Sequence, residues 1–287
     1  MPTITLNNTN ITNSNTNNIL TYKFQNGNVE FKNNYIALAN MSLYYSWFNI
    51  NQQLYKNNQF NYKWFDGLTY TVIIPNGQYS VNALNNYFKS VMTNNNHYLI
   101  NIATGDFVYY LEFQENATFY SIQYNAYLSP LPATIGVTYN YPVGATWTVP
   151  IASQTPQIII LTSPQYNFND VIGFNSGTYP TLPSLTTYSK LSDYTPEIEP
   201  ISSLNILCSF ISNPFSNTKI IYSTGIPSVS FGQQINISPP NFIYNGILDG
   251  IYQSFTIEIV DQNNNPIQIL DPQINIVLNI KESGTNQ

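Results

Sequence analysis

The chain has 287 residues, a formal net charge of −6, and only 8% charged residues, against the roughly 25% that is usual in soluble domains. All eight basic residues are lysines, and they are scattered, so the sequence excludes the clustered cations with which proteins bind nucleic acid. We expect no membrane span and no secretory signal, because no apolar run approaches ~18 residues and the N-terminus lacks a basic region followed by an apolar one. The scarcity of charge has two open interpretations: an AT-rich genome that encodes Asn in place of charged residues, or a surface that packs against copies of itself.

Residues 1–18 consist mainly of Asn and Thr with scattered Ile. This composition offers too little apolar surface for packing, so it predicts a flexible N-terminal arm. The arm is either a free tail or a segment that becomes ordered only against a neighbouring subunit.

The first strands begin near Ile19, where apolar and polar residues alternate up to the Asn26-Gly27 turn signal. A long, aromatic run follows from Tyr35 to Ile50, and its alternation changes phase near Asn40-Met41, which predicts a β-bulge. One face of this run is expected in a core. The aromatic residues on its other face predict a partner surface.

The middle of the chain differs from the preceding strand-forming segments, because it contains the one helix that the spacing of apolar residues predicts clearly. Ser80 is a good N-cap residue, and Val81, Leu84 and Phe88 follow it at helical spacing. Short strands surround this helix, and residues 166–173 predict a single further helical turn. We interpret residues 67–185 as an inserted α+β domain.

Strands resume after Pro200 and end with two strongly alternating runs, Phe255–Ile259 and Ile274–Ile280. These two antiparallel strands need a second sheet to cover their apolar face. The predicted fold class is mainly β: a single eight-stranded antiparallel jelly-roll sandwich, formed by residues 19–66 and 186–287, with the small α+β unit inserted.

A search for catalytic or metal-binding residues yields none that the spacing supports. His97, the single histidine, follows three Asn residues and is expected to be exposed in a turn, whereas Cys208 lies in an apolar run and is expected to be buried. The acidic residues form loose groups (Glu112 with Glu115, Glu197 with Glu199, and Asp249, Glu258, Asp261 and Asp271) that give a glycosidase no support. The segment Asp261–Asn265 offers oxygens for calcium, but a hairpin turn uses the same residue types. We therefore predict no catalytic, cofactor-binding or metal-binding residue and no cofactor.

Several segments resemble the penton, or vertex, capsid proteins of virophages and polinton-like double-stranded DNA viruses. The resemblance is carried by the stretches 36–50, 70–79, 171–174, 255–261 and 270–272. It implies a single jelly roll with an outward-projecting insertion, assembled as a homopentamer at icosahedral vertices. It also implies location in the virion, synthesis in the host cytoplasm, the major capsid protein of the same virus as a partner, and no catalytic residues.

The alternative function is a carbohydrate- or receptor-binding jelly-roll module, such as a lectin or a fibre head, in which tyrosines stack on sugar rings. Jelly rolls have many functions, so fold class does not decide between the two. They are compatible, because an insertion on a vertex protein is well placed to contact a host receptor or glycan.

Overall fold

The computed structural model describes residues 2–161, 163, 165–212 and 219–283. These residues are mainly β, and every pairing between two of their strands is antiparallel. Parts of two predicted ranges lie outside the described residues: Met1 of the N-terminal arm, and residues 213–218 and 284–287 of the jelly roll. Two short 3-10 helices span Asn8–Asn10 and Pro132–Thr134. The strands and α-helices are, in chain order, β1 Thr3–Asn7, β2 Ile19–Lys23, β3 Val29–Phe31, β4 Asn34–Tyr44, β5 Gln59–Lys63, β6 Thr69–Ile73, α1 Val81–Asn94, β7 Leu99–Asn101, β8 Phe107–Val108, β9 Leu111–Asn116, β10 Ser121–Ala126, β11 Tyr139–Asn140, β12 Gln157–Ile160, α2 Phe168–Ile172, β13 Gly177–Tyr179, β14 Tyr188–Leu191, β15 Ser203–Cys208, β16 Ile211–Ser212, β17 Ile220–Gly225, β18 Gln234–Ile237, β19 Asn245–Ile247, β20 Gly250–Tyr252, β21 Ser254–Val260 and β22 Asn275–Glu282.

The chain divides into two compact units, and the boundaries differ from the predicted ones. The first unit comprises Met1–Phe48 and Ile201–Gln287, and the second comprises Asn49–Pro200. Strand β5, which the sequence analysis places in the jelly roll, instead pairs with β6 and β12 of the second unit. Alternation of apolar residues identifies a strand without saying which sheet it joins, so it could not locate this boundary.

The first unit contains two sheets and a small β20–β3 pair. Sheet A has the strand order β1–β22–β4–β19–β16, and β18 also pairs with β4. Sheet B has the order β17–β15–β21–β2. Apolar side chains of both sheets form one buried cluster, with Leu6, Met41 and Leu278 from sheet A and Leu20, Ile206 and Ile257 from sheet B.

The last two strands of the chain do not pair with each other. β21 lies in sheet B between β15 and β2, whereas β22 lies in sheet A between β1 and β4. Each therefore contributes its apolar face to the same core from a different sheet. Two alternating runs close in sequence fit a hairpin and a crossing between sheets equally well, since both bury one face of each strand.

The prediction that residues 1–18 form a flexible arm is wrong for the start of the chain. Thr3–Asn7 forms β1, and it pairs along its whole length with β22, from Thr3 opposite Asn279 to Asn7 opposite Asn275. Its burial alternates, because Ile4 and Leu6 enter the core while Thr3, Thr5 and Asn7 remain exposed. Two apolar residues at the correct spacing suffice for a strand at the edge of an existing sheet.

The aromatic run after β4 also differs from its prediction in part. The expected β-bulge is confirmed at Ala39, where the register with β22 shifts between Val277 and Leu278. However, Tyr45 and Trp47 are buried in the core of the first unit. Phe231 of the same unit lies with its ring centroid 5.8 Å from that of Tyr45, so the chain itself covers part of this aromatic surface.

The second unit contains three sheets, with the orders β13–β12–β5–β6, β14–β10–β9 and β11–β7–β8, together with both α-helices. Helix α1 begins as predicted, because the Ser80 side chain accepts a hydrogen bond from the Ala83 amide. Its buried face, which includes Leu84 and Phe88, packs into the core of this unit. The predicted helical turn is confirmed as α2. Neither helix of the described residues is long and apolar enough to span a membrane.

Strand β1 yields a direct test of packing at the N-terminus. We expect Leu6→Ala to lower the free energy of unfolding by about 2–4 kcal/mol, because Leu6 is fully buried and its loss leaves a cavity. The matched change Thr5→Ala, on the exposed face of the same strand, should cost less than about 0.5 kcal/mol. Urea denaturation measures both, and equally small effects would show that β1 is not packed in solution.

Candidate functional site

The titratable residues do not form a catalytic or metal centre in the described part of the chain. No group of three or more His, Cys, Asp and Glu residues there could hold a metal ion. Cys208 is fully buried, and burial raises the pKa of its thiol to about 12, which keeps it protonated and unreactive.

The segment around Asp261 is a turn whose oxygens are already occupied. Asp261 is buried, and its Oδ1 accepts hydrogen bonds from the amides of Asn263 and Asn265, both at 2.8 Å. Its Oδ2 accepts from the Asn265 side chain at 3.2 Å. These bonds satisfy the carboxylate within the loop, so the arrangement fits the turn interpretation and leaves no preformed calcium cage.

His97 is buried, contrary to the prediction of an exposed turn residue. Asn96, at φ 57°, adopts the left-handed conformation, and His97 follows it into the core of the second unit. Its Nδ1 lies 2.7 Å from the Tyr62 hydroxyl, which in turn accepts a hydrogen bond from the Asn95 side chain. Because the Asn95 amide already donates to the Tyr62 hydroxyl, we assign the hydroxyl proton to the bond with Nδ1 and the imidazole proton to Nε2.

Aromatic rings enclose this histidine. Trp64 stacks on the imidazole at 4.7 Å between centroids, and Tyr70 meets it edge-on at 4.4 Å. Burial lowers the pKa of His97 to about 4, against a smaller opposing effect of the Asp66 charge. His97 and Tyr62 thus form a buried, hydrogen-bonded pair within the aromatic core of the second unit.

A second feature is the part of the outer face of sheet A between Thr3 and Asn7 of β1 and the middle of β4, up to Asn279 of β22, which we call the uncharged face. Its side chains alternate with the buried ones of β1, β22, β4 and β18. The strand register aligns them in rows across the sheet, such as Asn7–Asn275–Ser42–Asn236 and Thr5–Val277–Asn40. The members of this face are Thr3, Thr5, Asn7, Asn40, Ser42, Tyr44, Gln234, Asn236, Asn275, Val277 and Asn279, and none of them carries a charge. Lys281, the next outward-facing residue of β22, lies opposite Tyr35 at the end of the sheet and bounds this face.

The outer face of sheet B differs, because it contains ionised side chains. Glu258 lies opposite Ile19 and Leu207, and Lys23 pairs with Ser254 at the end of the same sheet. Lys219 and Glu258 both line one shallow depression. The free energy needed to remove the uncharged face from water is therefore lower than that for the outer face of sheet B.

A third feature is an open groove of about 450 Å³ in the second unit, which we call the carboxylate groove. Three elements form it: the start of α1 at Ser80 and Val81, the β9–β10 hairpin, and the segment 196–199. Glu115, Glu197 and Glu199 line it, so two of the acidic groups seen in the sequence meet here although they are far apart along the chain. Glu112, the other member of its group, instead makes an ion pair with Lys89 at 3.7 Å.

Sequence reasoning missed both the uncharged face and the carboxylate groove. The alternation of Asn275, Val277 and Asn279 with buried Ile and Leu identified a wet face, but the neighbouring strands were not known. Nothing in the sequence brings the β9–β10 hairpin next to segment 196–199, since that proximity depends on tertiary packing.

Comparison with known proteins finds distant likenesses among solved structures and none among sequences. No protein-family model and no curated protein matches the sequence. Among solved structures, the crystal structure of the selenomethionine-labelled mavirus penton protein matches with a TM-score of 0.41 at 13% sequence identity. The match covers 98% of this chain and 97% of that one. A likeness at this level decides neither fold nor function, so both rest on the strand pairings and surfaces described above.

The buried histidine predicts an acid-dependent loss of stability. His97 stays neutral in the folded chain down to a pH of about 4, whereas in the unfolded chain it takes up a proton below about 6.5. Its contribution is therefore fully present above pH 6.5 and is lost as the pH falls from 6.5 towards 4. By pH 5 we expect a loss of about 2 kcal/mol that the variant His97→Gln does not show. Urea denaturation at pH 7.5, 6 and 5 measures it, and equal pH slopes for the two proteins would contradict the burial of a neutral histidine.

The Asp261 turn predicts stability without dependence on calcium. We expect Asp261→Ala to lower the free energy of unfolding by about 1–3 kcal/mol, because the amides of Asn263 and Asn265 lose their acceptor. The control Asp261→Asn keeps one acceptor oxygen and should lose less. Addition of calcium or of EDTA should leave the melting temperature of the parent protein unchanged, and a calcium-dependent rise would support the cation interpretation.

Proposed function

We propose that this chain is a structural capsid protein, a penton capsomer that forms homopentamers at the vertices of an icosahedral virion. Its partners in this proposal are further copies of itself and the major capsid protein of the same virus. Its location is the virion, after synthesis in the host cytoplasm. The resemblance of segments 36–50 and 255–261, which form β4 with the residues after it and most of β21, is in keeping with this proposal.

The strand order supports a single eight-stranded jelly roll for the first unit. If β1, β2, β4, β15, β17, β18, β21 and β22 are counted as strands one to eight, sheet A contains the order 1-8-3-6 and sheet B the order 2-7-4-5. This interleaving of two four-stranded sheets is the arrangement of two nested Greek keys. The second unit is then an insertion between the third and fourth strands of the roll.

The observation that carries the functional proposal is the uncharged face. A charged side chain must lose its hydration when a partner covers it, and this loss costs several kcal/mol unless a matching charge compensates. The cores of protein interfaces are accordingly depleted of Lys, Glu and Asp. A sheet face built from Asn, Thr, Ser, Gln, Tyr and Val can be covered at low cost, and its amides and hydroxyls can bond to a partner.

A ring of identical subunits requires that one patch of each copy contact a different patch of the next. Rotation about the ring axis closes the ring, and every copy of both patches is then covered by a neighbouring subunit. In this proposal the uncharged face is one of the two patches, and the protein has an assembly role without enzymatic activity.

Electron microscopy of the purified protein, alone and mixed with the major capsid protein of its virus, tests the proposal. We expect rings of five subunits, and a ring mass of about five chains by light scattering. The double variant Asn275→Lys/Asn279→Lys places two charges on the uncharged face and should abolish rings while the variant remains folded by circular dichroism. The matched control Gln114→Lys adds a charge to an exposed strand position of β9 in the second unit and should leave the rings intact.

A protein that remains monomeric at high concentration and does not bind the major capsid protein would overturn the proposal. A ring that tolerates both lysines would overturn the role of the uncharged face as a contact patch. Because the face has no charge, ring stability should change little between 50 mM and 500 mM salt, in contrast to an interface held by ion pairs.

A further inference from the structure

The carboxylate groove has the composition of a ligand site, and the capsid proposal does not use it. Its volume of about 450 Å³ lies within the range of small-molecule sites. All of its lining residues belong to the second unit. A ligand in this groove would contact the second unit alone, so its binding does not require assembly into pentamers.

The walls of the groove are fixed by internal hydrogen bonds. The buried side chain of Asn49 donates from Nδ2 to the carbonyls of Tyr79 at 2.7 Å and Ile198 at 2.9 Å. Its Oδ1 accepts the Tyr79 amide at 2.8 Å, so one side chain joins the start of α1 to segment 196–199. The Gln78 side chain adds a 2.5 Å bond to Glu199 across the same junction. The groove is therefore preorganised, which lowers the entropic cost of binding.

An aromatic ring stands at the rim of this groove. Tyr120, at the tip of the β9–β10 hairpin, lines the groove and is 76% exposed. An exposed aromatic face offers a flat, apolar surface with a negative quadrupole. The C–H groups on one face of a sugar ring carry a small positive charge, so they pack well against such a surface.

The polar groups in the groove are suited to hydroxyl groups. Glu115 and Glu197 have no hydrogen bond or ion pair from their carboxylates among the described residues, and an ionised carboxylate only accepts hydrogen bonds. Ser121 also lines the groove, and its buried Oγ has no hydrogen-bond partner among the described residues, so the polar capacity of this wall is not fully used within the protein. Sugar hydroxyls can donate to the two carboxylates.

The same carboxylates exclude other classes of ligand. Three negative side chains in one groove repel phosphates, sulfated sugars and sialic acids. They do not act together on a cation, because no three acidic, His or Cys residues of the described chain could hold a metal ion.

From these observations we infer that the carboxylate groove binds a neutral saccharide, with a sugar ring stacked on Tyr120 and its hydroxyls bonded to Glu115 and Glu197. This inference gives the inserted unit a recognition role of its own. A surface glycan without acidic groups is the chemical class of its target.

A glycan array probed with the full-length protein tests this inference. The array carries neutral oligosaccharides, sialylated and sulfated ones, and amino sugars with a free amine. We expect binding to neutral oligosaccharides alone, followed by measurement of the dissociation constant for the best of them by calorimetry.

Variants then locate the site. Tyr120→Ala should weaken binding about tenfold or more, whereas Tyr120→Phe keeps the ring and should stay within about twofold. Glu197→Gln should also weaken binding, since it replaces one acceptor oxygen with a donor. Phe107→Ala is the matched control, because Phe107 is an exposed aromatic residue of the same unit, 49% exposed, that does not line the groove.

Three results would contradict saccharide binding at the carboxylate groove. Absence of neutral glycan binding at millimolar concentrations, binding confined to anionic or amine-bearing sugars, or neutral binding unchanged by Tyr120→Ala would each overturn the inference. Microscopy of Tyr120→Ala should show the same rings as the parent protein. Rings without sugar binding would contradict this inference alone, and sugar binding without rings would contradict the capsid proposal alone.

Discussion

The first unit depends on β22, which pairs on one side with β1 and on the other with β4. This strand joins the two ends of the chain in one sheet and contributes Ile276, Leu278 and Ile280 to the core. Each fully buried aliphatic side chain of this kind contributes about 1.5–3 kcal/mol through the hydrophobic effect. Without β22, β1 would have no partner and β4 would lose the neighbour with which it shares its longest register.

The insertion of the second unit between β4 and β15 is tolerated because these strands are held by β22 and β21, whose pairings do not involve the inserted residues.

Much of this architecture could be predicted from alternation, and the failures have a common physical cause. The Ser80 cap and helix α1, the helical turn α2, the bulge in β4 and the strand character of β21 and β22 are local properties, so a single sequence indicates them. The assignment of β5 to the wrong unit, the expected pairing of the last two strands and the missed strand β1 all concern partners far away in the sequence. A five-residue strand with two apolar residues is stable only because β22 is already present beside it. Composition concerns the tendency of a segment on its own, whereas the place of β1 in the fold depends on its partner β22.

His97 shows the same limit at the level of one residue. Three Asn residues before it indicate a turn, and the turn is present, but the next residue enters a cage of Tyr62, Trp64 and Tyr70. The partners in this cage come from β5, β6 and the residue after β5, and all of them lie more than twenty-five residues away in the sequence. For the carboxylate groove, too, the acidic groups were visible in the sequence, whereas their meeting with Tyr120 and Ser121 required the tertiary structure.

The distribution of charge separates the two proposed roles of the chain. Residues 116–189 contain a single charged side chain, Asp170, and the eleven residues of the uncharged face contain none, so a biased composition alone could explain both. The same bias cannot explain why Glu115, Glu197 and Glu199, three of only fourteen acidic residues, converge on one groove without a lysine among its lining residues. Unbalanced charge of this kind raises the electrostatic free energy of the folded chain, and for Glu115 and Glu197 neither ion pair of the described residues offsets it. Neutral surfaces that are cheap to cover suit contacts between subunits, whereas a small, preorganised and charged groove suits recognition of a hydroxyl-rich ligand. The two surfaces lie on different units of the chain, which allows assembly and recognition to be altered independently.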